Sequence, residues 1–488
     1  MTSLEKAGIW TLLAVHLLGW TIIPWLTNTA LPLDVIEAIY WGHEWAWGYD
    51  KHPPLSAWTA EAFAVAFGDL GPYLLSQLCL VSAAYGIWLI GGEMKLRTSQ
   101  RVAGLLLMET VLYYNYTSPE FNVNIIQLPF WAFGWLFGIR AASSAKYAEW
   151  IGLGVCVGLA ALGKYLGIFM LVPLFLAYFQ RGELKRVLTS PGIYLAGVVS
   201  ILVFLPHLLW MKDHDWITVT YGLKRTSDHK EAAFFIRHFW YPLEYLLGQI
   251  ATLTPLLLIA LWSGKRARIH DSLGLTGLAW GGLGLMTLLS CLAGWKPVTM
   301  WSGPFCLGVG LWAAAQFAPV QNMKRVIVGV MTFAILAVFA QIVVNGFGPM
   351  MGGKPHKVNY DGPGIAAAAE KVWAEKTNAP FKFVIGDRYT AGLVSWYGKS
   401  RPSVMVVGDE TLSSTAKNAA VRENGGLVIW QKHHDANAKR QIGIEKAIPA
   451  AVAAFPEMKI MDDLVIPHPR RKDGMAGRFG MGLVPPQK

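Results

Sequence analysis

The run Ile9-Trp-Thr-Leu-Leu-Ala-Val-His-Leu-Leu-Gly-Trp-Thr-Ile-Ile23 contains no acidic residue, lysine or arginine. With its flanks it extends over 9–30, long enough to cross a hydrocarbon core of about 30 Å. It is too long for the apolar part of a cleavable signal, and no clean small-residue cleavage site follows it, so it reads as a first membrane span. Similar stretches recur at 72–92, 102–115, 123–142, 150–163, 165–179, 191–211, 241–262, 273–293, 303–319 and 326–345. Three of these are short, and 150–163 with 165–179 predicts a tight hairpin or re-entrant pair. Composition agrees. The chain of 488 residues is 54% hydrophobic and 15% charged, with 22 Trp and a mean hydropathy of +0.38; soluble domains carry about 25% charged residues. The fold class expected is a polytopic α-helical membrane protein of eleven spans.

A net charge of +11 would point to nucleic acid in a soluble protein. Here the cations collect in short loops between spans: Lys95, Arg97 and Arg101; Arg140 and Lys146; Arg181, Lys185 and Arg186; Lys265, Arg266 and Arg268; Lys324 and Arg325. With eleven spans all five loops share the side of the N-terminus, which the positive-inside rule makes cytoplasmic. A nucleic-acid partner is not needed to explain the charge. The other side, the periplasm in a bacterium, carries 31–71, 116–122, 212–240 and everything after 346. Cys79, Cys156, Cys291 and Cys306 lie in apolar spans without metal-ligand spacing and read as packing residues.

Loop 31–71 is acidic and aromatic, with Asp34, Glu37, Glu44, Asp50, Glu61, Asp69, Trp41, Trp45, Trp47 and Trp58. That composition predicts a loop lying along the membrane surface, with interfacial helices over 35–47 and 55–67. The transmembrane domain is expected over 1–345, a Gly- and Pro-rich linker over 346–360, and a small soluble α/β domain over 361–488. In that domain strands are expected at 381–385, 403–407 and 426–430, helices at 363–376 and 445–454, and a loose Gly- and Pro-rich end from Arg470 to Lys488.

Five constellations carry chemistry. Asp34 and Glu37 stand at i and i+3, on one face of a helix. Such a pair can act as a general base, bind a divalent metal or hold hydroxyls; the plainer alternative is a solvated helix start capped by Asp34. His52-Pro53-Pro54-Leu55 makes a rigid corner that offers one imidazole. Lys164-Tyr165 interrupts a Gly, Leu and Ala run. A charge at membrane depth is costly and faces a cavity or a partner, so Lys164 at the tip of a hairpin is placed to hold a phosphate, unless it snorkels. His207 and Trp210 lead from a span end into a loop with Arg225, whose planar fork suits phosphate. Lys296 and Trp301 place another cation and aromatics on the same face. Carboxylates, cations and aromatics gathered there describe a pocket for an anionic, sugar-bearing lipid.

These motifs, in this order over about residues 8–345, resemble the integral-membrane glycosyltransferases of the GT-C fold. The resemblance is to the protein O-mannosyltransferase superfamily, especially the bacterial branch that includes the lipid A aminoarabinose transferase and the rhizobial lipopolysaccharide galacturonosyltransferases. It rests on Asp34 with Glu37, His52 to Leu55, Lys164-Tyr165, and Pro206 with Trp210 and Arg225. It implies a polyprenyl phosphate sugar donor, a periplasmic active site, Asp34 as the base or acceptor-orienting carboxylate, and Lys164 and Arg225 on the donor phosphate. The family often carries a second Asp at the start of the fourth span; Asn124 stands there in this chain, with Glu120 nearby. The implied acceptor is lipid A or the lipopolysaccharide core, with a protein hydroxyl second. A lipid-linked sugar transporter and a non-catalytic sugar-binding membrane protein are the alternatives from other classes. The first would spread polar residues through paired broken helices; the second leaves Asp34 and Lys164 without a role.

Overall fold

The computed structural model describes residues 3–144, 146–227, 231–264, 274–317, 322–351, 356–406, 415–432, 449–470 and 476–487. The helices are α1 (Ser3–Thr27), α2 (Leu33–His43), α3 (Leu55–Phe67), α4 (Leu70–Glu93), α5 (Thr98–Met108), α6 (Gln127–Ser144), α7 (Tyr147–Gly163), α8 (Leu171–Gln180) and α9 (Leu184–Leu188). They continue as α10 (Pro191–Asp213), α11 (Ile217–Ser227), α12 (Tyr241–Ser263), α13 (Leu275–Ala293), α14 (Val309–Gln316) and α15 (Met323–Gln341). The C-terminal part holds α16 (Gly362–Lys376), β1 (Phe383–Gly386), α17 (Arg388–Tyr397), β2 (Ser403–Val406), α18 (Thr415–Asn424), β3 (Gly426–Lys432), β4 (Lys459–Pro467) and β5 (Ala476–Val484).

The chain divides into two compact units. The first comprises 1–22, 47–56 and 73–340; the second comprises 23–46, 57–72 and 341–488. The first unit is an apolar helical bundle. Among the described residues of the chain, six helical segments are long and apolar enough to cross a membrane: Trp10–Thr27, Leu70–Glu93, Pro191–Asp213, Ile236–Ser263, Leu275–Ala293 and Met323–Phe347. They match six of the eleven expected spans, and the protein is a polytopic membrane protein. The other five expected spans are shorter or less apolar: α5, α6, α7, the segment Tyr165–Gln180 and the segment Pro304–Gln316. The cationic loop with Lys265, Arg266 and Arg268 lies outside the described residues.

Small residues let the bundle close. On α7, Gly154 and Gly158 form a small-xxx-small stripe. A Cβ on Gly154 would stand 2.4 Å from the Ala196 carbonyl oxygen of α10, and one on Gly158 would stand 2.7 Å from Val203. A polar pair is buried in the same bundle: His16 Nδ1 lies 2.6 Å from Glu109 Oε2, and His16 Nε2 lies 3.0 Å from Gln77 Oε1.

The second unit joins the end of α1, α2, α3 and the C-terminal α/β domain. Its sheet runs β2-β1-β3-β5-β4, with β2, β1 and β3 parallel and β5 antiparallel to both neighbours. The domain's hydrophobic core is built on Ile385, Met405, Val421, Val428, Trp430 and Phe455. The first loop forms α2 and α3 close to the expected ranges. The expected loose C-terminus instead contains β5, paired with β3 and β4. Its glycines are packing residues: a Cβ on Gly480 would lie 2.2 Å from the Trp430 ring, and one on Gly482 would lie 2.7 Å from Met458. Of the expected helix at 445–454, residues 449–454 are helical and the rest lies outside the described residues.

Candidate functional site

Lys164 follows the last residue of α7 and precedes a 3₁₀ turn over Tyr165–Met170. Its backbone is extended (φ −166°, ψ 142°), so two helical segments meet at this residue. The side chain is buried, only 8% exposed. Nζ donates to Asn124 Oδ1 at 3.0 Å and lies 4.5 Å from the centre of the Trp301 ring. Asn124 is itself oriented by a turn in which its backbone N–H donates to Asn122 Oδ1.

Trp301 sits in a 3₁₀ turn over Thr299–Ser302 that neighbouring side chains fix. Tyr113 donates to the Thr299 carbonyl at 2.6 Å, Gln249 donates to the same oxygen at 3.1 Å, and Tyr114 donates to the Gly303 carbonyl at 2.6 Å. The result is one buried ammonium held by an amide oxygen and an indole face. An ammonium in this setting is desolvated, so an anion beside it interacts far more strongly than in water.

Beside Lys164 in sequence, Tyr165 anchors a second cluster. His207 is fully buried, and its Nδ1 donates to the Trp47 carbonyl at 2.6 Å. In the neutral imidazole that leaves Nε2 as an acceptor for the Tyr165 hydroxyl, 2.8 Å away. Tyr165 also contacts Thr218, a partner that no local sequence signal announced. Trp210 stacks on His207 with ring centres 5.8 Å apart and on His214 at 4.1 Å. Gly48 lies flat against Trp210, where a Cβ would meet the ring at 2.3 Å. His52 packs edge-on against Tyr221, which Lys51 also approaches.

Lys296 and Arg225 are the other cations expected on the donor phosphate. Lys296 Nζ is 3.2 Å from Glu244 Oε2 and 5.0 Å from the Tyr241 ring centre, so its charge already has a carboxylate partner. Arg225 is exposed on α11. The Glu120 carbonyl accepts from Asn122, which ties this acid's backbone to the turn that carries Asn124.

Asp34 and Glu37 belong to the second unit, on α2. Asp34 lies in the first turn of this helix, where its negative charge suits the N-terminal dipole. The cap position itself is Pro32, so the alternative of Asp34 as helix cap does not hold. Glu37 is buried and accepts from Arg388 Nη1 at 2.8 Å. Among the described residues, no three His, Cys, Asp or Glu side chains gather as a metal site.

The fold, an apolar helical bundle with an α/β domain after it in the chain, is similar to that of a solved membrane protein, ArnT. The chain aligns with ArnT from Cupriavidus metallidurans bound to undecaprenyl phosphate, with a TM-score of 0.62 over 98% of both chains at 12% identity. The apo state of the same protein gives 0.61 at 13% identity.

In sequence the chain resembles the rhizobial galacturonosyltransferases. It is 20% identical over 99% of its length to the lipopolysaccharide core galacturonosyltransferase RgtA of Rhizobium johnstonii, of which 98% is covered. It is 28% identical over 51% of its length to the lipid A galacturonosyltransferase RgtD of the same organism, of which 53% is covered. The family model described as dolichyl-phosphate-mannose-protein mannosyltransferase matches residues 51–210, a stretch that contains His52, Glu120, Asn124, Lys164, Tyr165, His207 and Trp210.

Proposed function

We propose that this protein is a glycosyltransferase of the bacterial inner membrane that moves a sugar from a polyprenyl phosphate to lipid A or the lipopolysaccharide core on the periplasmic side. The observation that carries the reading is Lys164: a buried ammonium held by Asn124 and Trp301, in a membrane bundle. A lysine at membrane depth faces a cavity or a partner, and a lipid-borne phosphate is a ligand that suits such an ammonium. The fold and the relatives support the same class of chemistry.

In the proposed reaction the bond from the anomeric carbon to the phosphate oxygen breaks, and a bond from the acceptor oxygen to that carbon forms. Lys164 stabilises the charge left on the polyprenyl phosphate. Arg225 and Lys296 are proposed as further phosphate contacts, Lys296 by exchanging Glu244 for the ligand. Tyr165, His207, Trp210, His52 and Trp301 shape the pocket, with Glu120 and Asn124 at its polar edge. Asp34 takes the proton of a hydroxyl acceptor; toward a phosphate acceptor it would orient and not deprotonate. Glu37, paired with Arg388, supports Asp34.

General acid–base groups contribute about 10²–10⁴-fold in rate. Asp34→Asn is therefore expected to lose turnover on that scale while still inserting in the membrane, and Lys164→Ala to act mainly on donor affinity. The check is a reconstituted assay with synthetic undecaprenyl phosphate sugars and purified lipid A over a donor series. Near-normal turnover of Asp34→Asn would remove the base role. Transfer to a protein hydroxyl and not to lipid A would assign the other acceptor.

A further inference from the structure

We infer that the C-terminal α/β domain holds α2, and with it Asp34, in working position, and that Arg388 is the positioning residue of this latch. The inference rests on the role of Asp34 proposed above.

The acidic first loop is tied to one short stretch of the domain, residues 388–401. At the start of α17, Arg388 Nη1 donates to Glu37 Oε1 at 2.8 Å, with the two side chains 16% and 9% exposed. At its end, Trp396 Nε1 and the Tyr397 hydroxyl donate to the two oxygens of Asp69, at 2.7 and 2.9 Å. Just beyond, Arg401 Nη2 lies 2.9 Å from both oxygens of Glu61 on α3. Arg401 has φ 46°, a region that residues other than glycine rarely enter. The ion pair, and the guanidinium 4.6 Å from the Trp396 ring centre, hold that backbone in place.

In the middle of α17 the backbone itself meets α2. A Cβ on Gly392 would lie 2.4 Å from Ile36 Cγ2, so the Ile36 side chain of α2 packs directly on the α17 backbone. Glu37 follows Asp34 by one turn, on the same face. A roll or slide of α2 that breaks the pair with Arg388 therefore moves Asp34 by a similar amount. Displacing a reacting group by about 1 Å costs on the order of 10²-fold in rate. A merely solvated acidic loop has no need of three buried or half-buried ties to one helix and its flank.

The test uses the full-length protein in lipid nanodiscs. The variants are Arg388→Ala and the reciprocal pair Glu37→Arg with Arg388→Glu, alone and combined. Three readouts are taken: turnover with a synthetic undecaprenyl phosphate sugar and lipid A, binding of undecaprenyl phosphate itself, and hydrogen exchange of amides in α2. Arg388→Ala is expected to lower kcat on the order of 10²-fold and leave undecaprenyl phosphate affinity within about twofold. It should speed exchange in α2 by about tenfold or more while β1 and β3 stay protected. The combined swap should recover about tenfold over either single reversal.

Unchanged exchange in α2, a swap no better than its parts, or loss of strand protection along with kcat would each overturn the latch. A normal rate for Arg388→Ala beside an inactive Asp34→Asn overturns the positioning role. Normal rates in both variants remove the proposed role of Asp34, and exchange in α2 still decides whether the latch exists.

Discussion

Asp69 shows how one residue couples the first loop to solution conditions. Burial raises its pKa above the ordinary carboxylate value, against the opposing pull of the hydrogen bonds from Trp396 and Tyr397. A raised folded pKa means that the folded state keeps its proton to higher pH than the unfolded chain. The contribution to stability is then fully present below the unfolded value, near about 4, and is lost as pH rises through the folded value. Asp69→Asn has no such step. The difference in unfolding temperature, variant minus wild type, should therefore grow more positive from about pH 4 toward neutrality, read by thermal unfolding of the purified full-length protein. A flat difference would show that Asp69 does not titrate differently in the folded state. Tyr397 belongs to the same group: burial first, and then the Asp69 charge beside it, hold its phenol well above the ordinary value. It therefore acts as a donor to Asp69 throughout this range.

At the scale of elements, α1 and the end of α5 are joined by the buried pair of His16 and Glu109. Both imidazole nitrogens face oxygens, from Glu109 and Gln77, so the ring ties α1 to α4 and to the end of α5. Breaking a buried pair leaves one charge uncompensated, at a cost of about 3–5 kcal/mol, whereas replacing both partners by apolar residues is far milder. His16→Leu is expected to lower the unfolding temperature sharply, and His16→Leu with Glu109→Leu to recover most of the loss; equal losses would show that the charges are not coupled. His16 was visible in the sequence only as a polar residue within the first span, because its partner is 93 positions away. The same distance limit explains what was legible elsewhere. Helices α2 and α3 were expected nearly where they form, since apolar runs flanked by Pro32 and Pro53-Pro54 are local signals. Arg388 and Arg401 carry no such local signal, since nothing around them announces carboxylates more than 300 positions earlier. Strand β5 reads locally as a loose end, because Gly480 and Gly482, which make room for Trp430 and Met458, look like flexibility in sequence.

For the whole molecule the sharpest question is which side of the membrane each loop occupies, and the helix lengths decide where the answer is vulnerable. Helices α2 and α3 are 11 and 13 residues long, about 16 and 20 Å at 1.5 Å per residue. Neither reaches across about 30 Å of hydrocarbon. Among the described residues before Lys95 only α1 and α4 are long and apolar enough to cross, and two crossings would return this loop to the side of the N-terminus. The short segments up to Arg181 come in pairs, α5 with α6 and α7 with α8. Whether both members of a pair cross or both turn back, Lys146 and Arg181 stay on the side of Lys95, as the positive-inside rule requires. The exception is Pro304–Gln316, about 20 Å long. Its partner α13 is a full-length span, so a re-entrant segment here would send Lys324 and Arg325 outward and the C-terminal domain inward. Two cations in the first turn of α15 favour a crossing. Fusions of a periplasm-active phosphatase and a cytoplasm-active fluorescent protein are expected to read cytoplasmic at Lys95, Lys185 and Lys324 and periplasmic at Asp50 and Asp387. A cytoplasmic signal at Asp387, with Lys95 and Lys185 as expected, would make 304–316 re-entrant. It would also set the α/β domain on the side opposite a periplasmic acceptor, which the proposed transfer to lipid A does not survive.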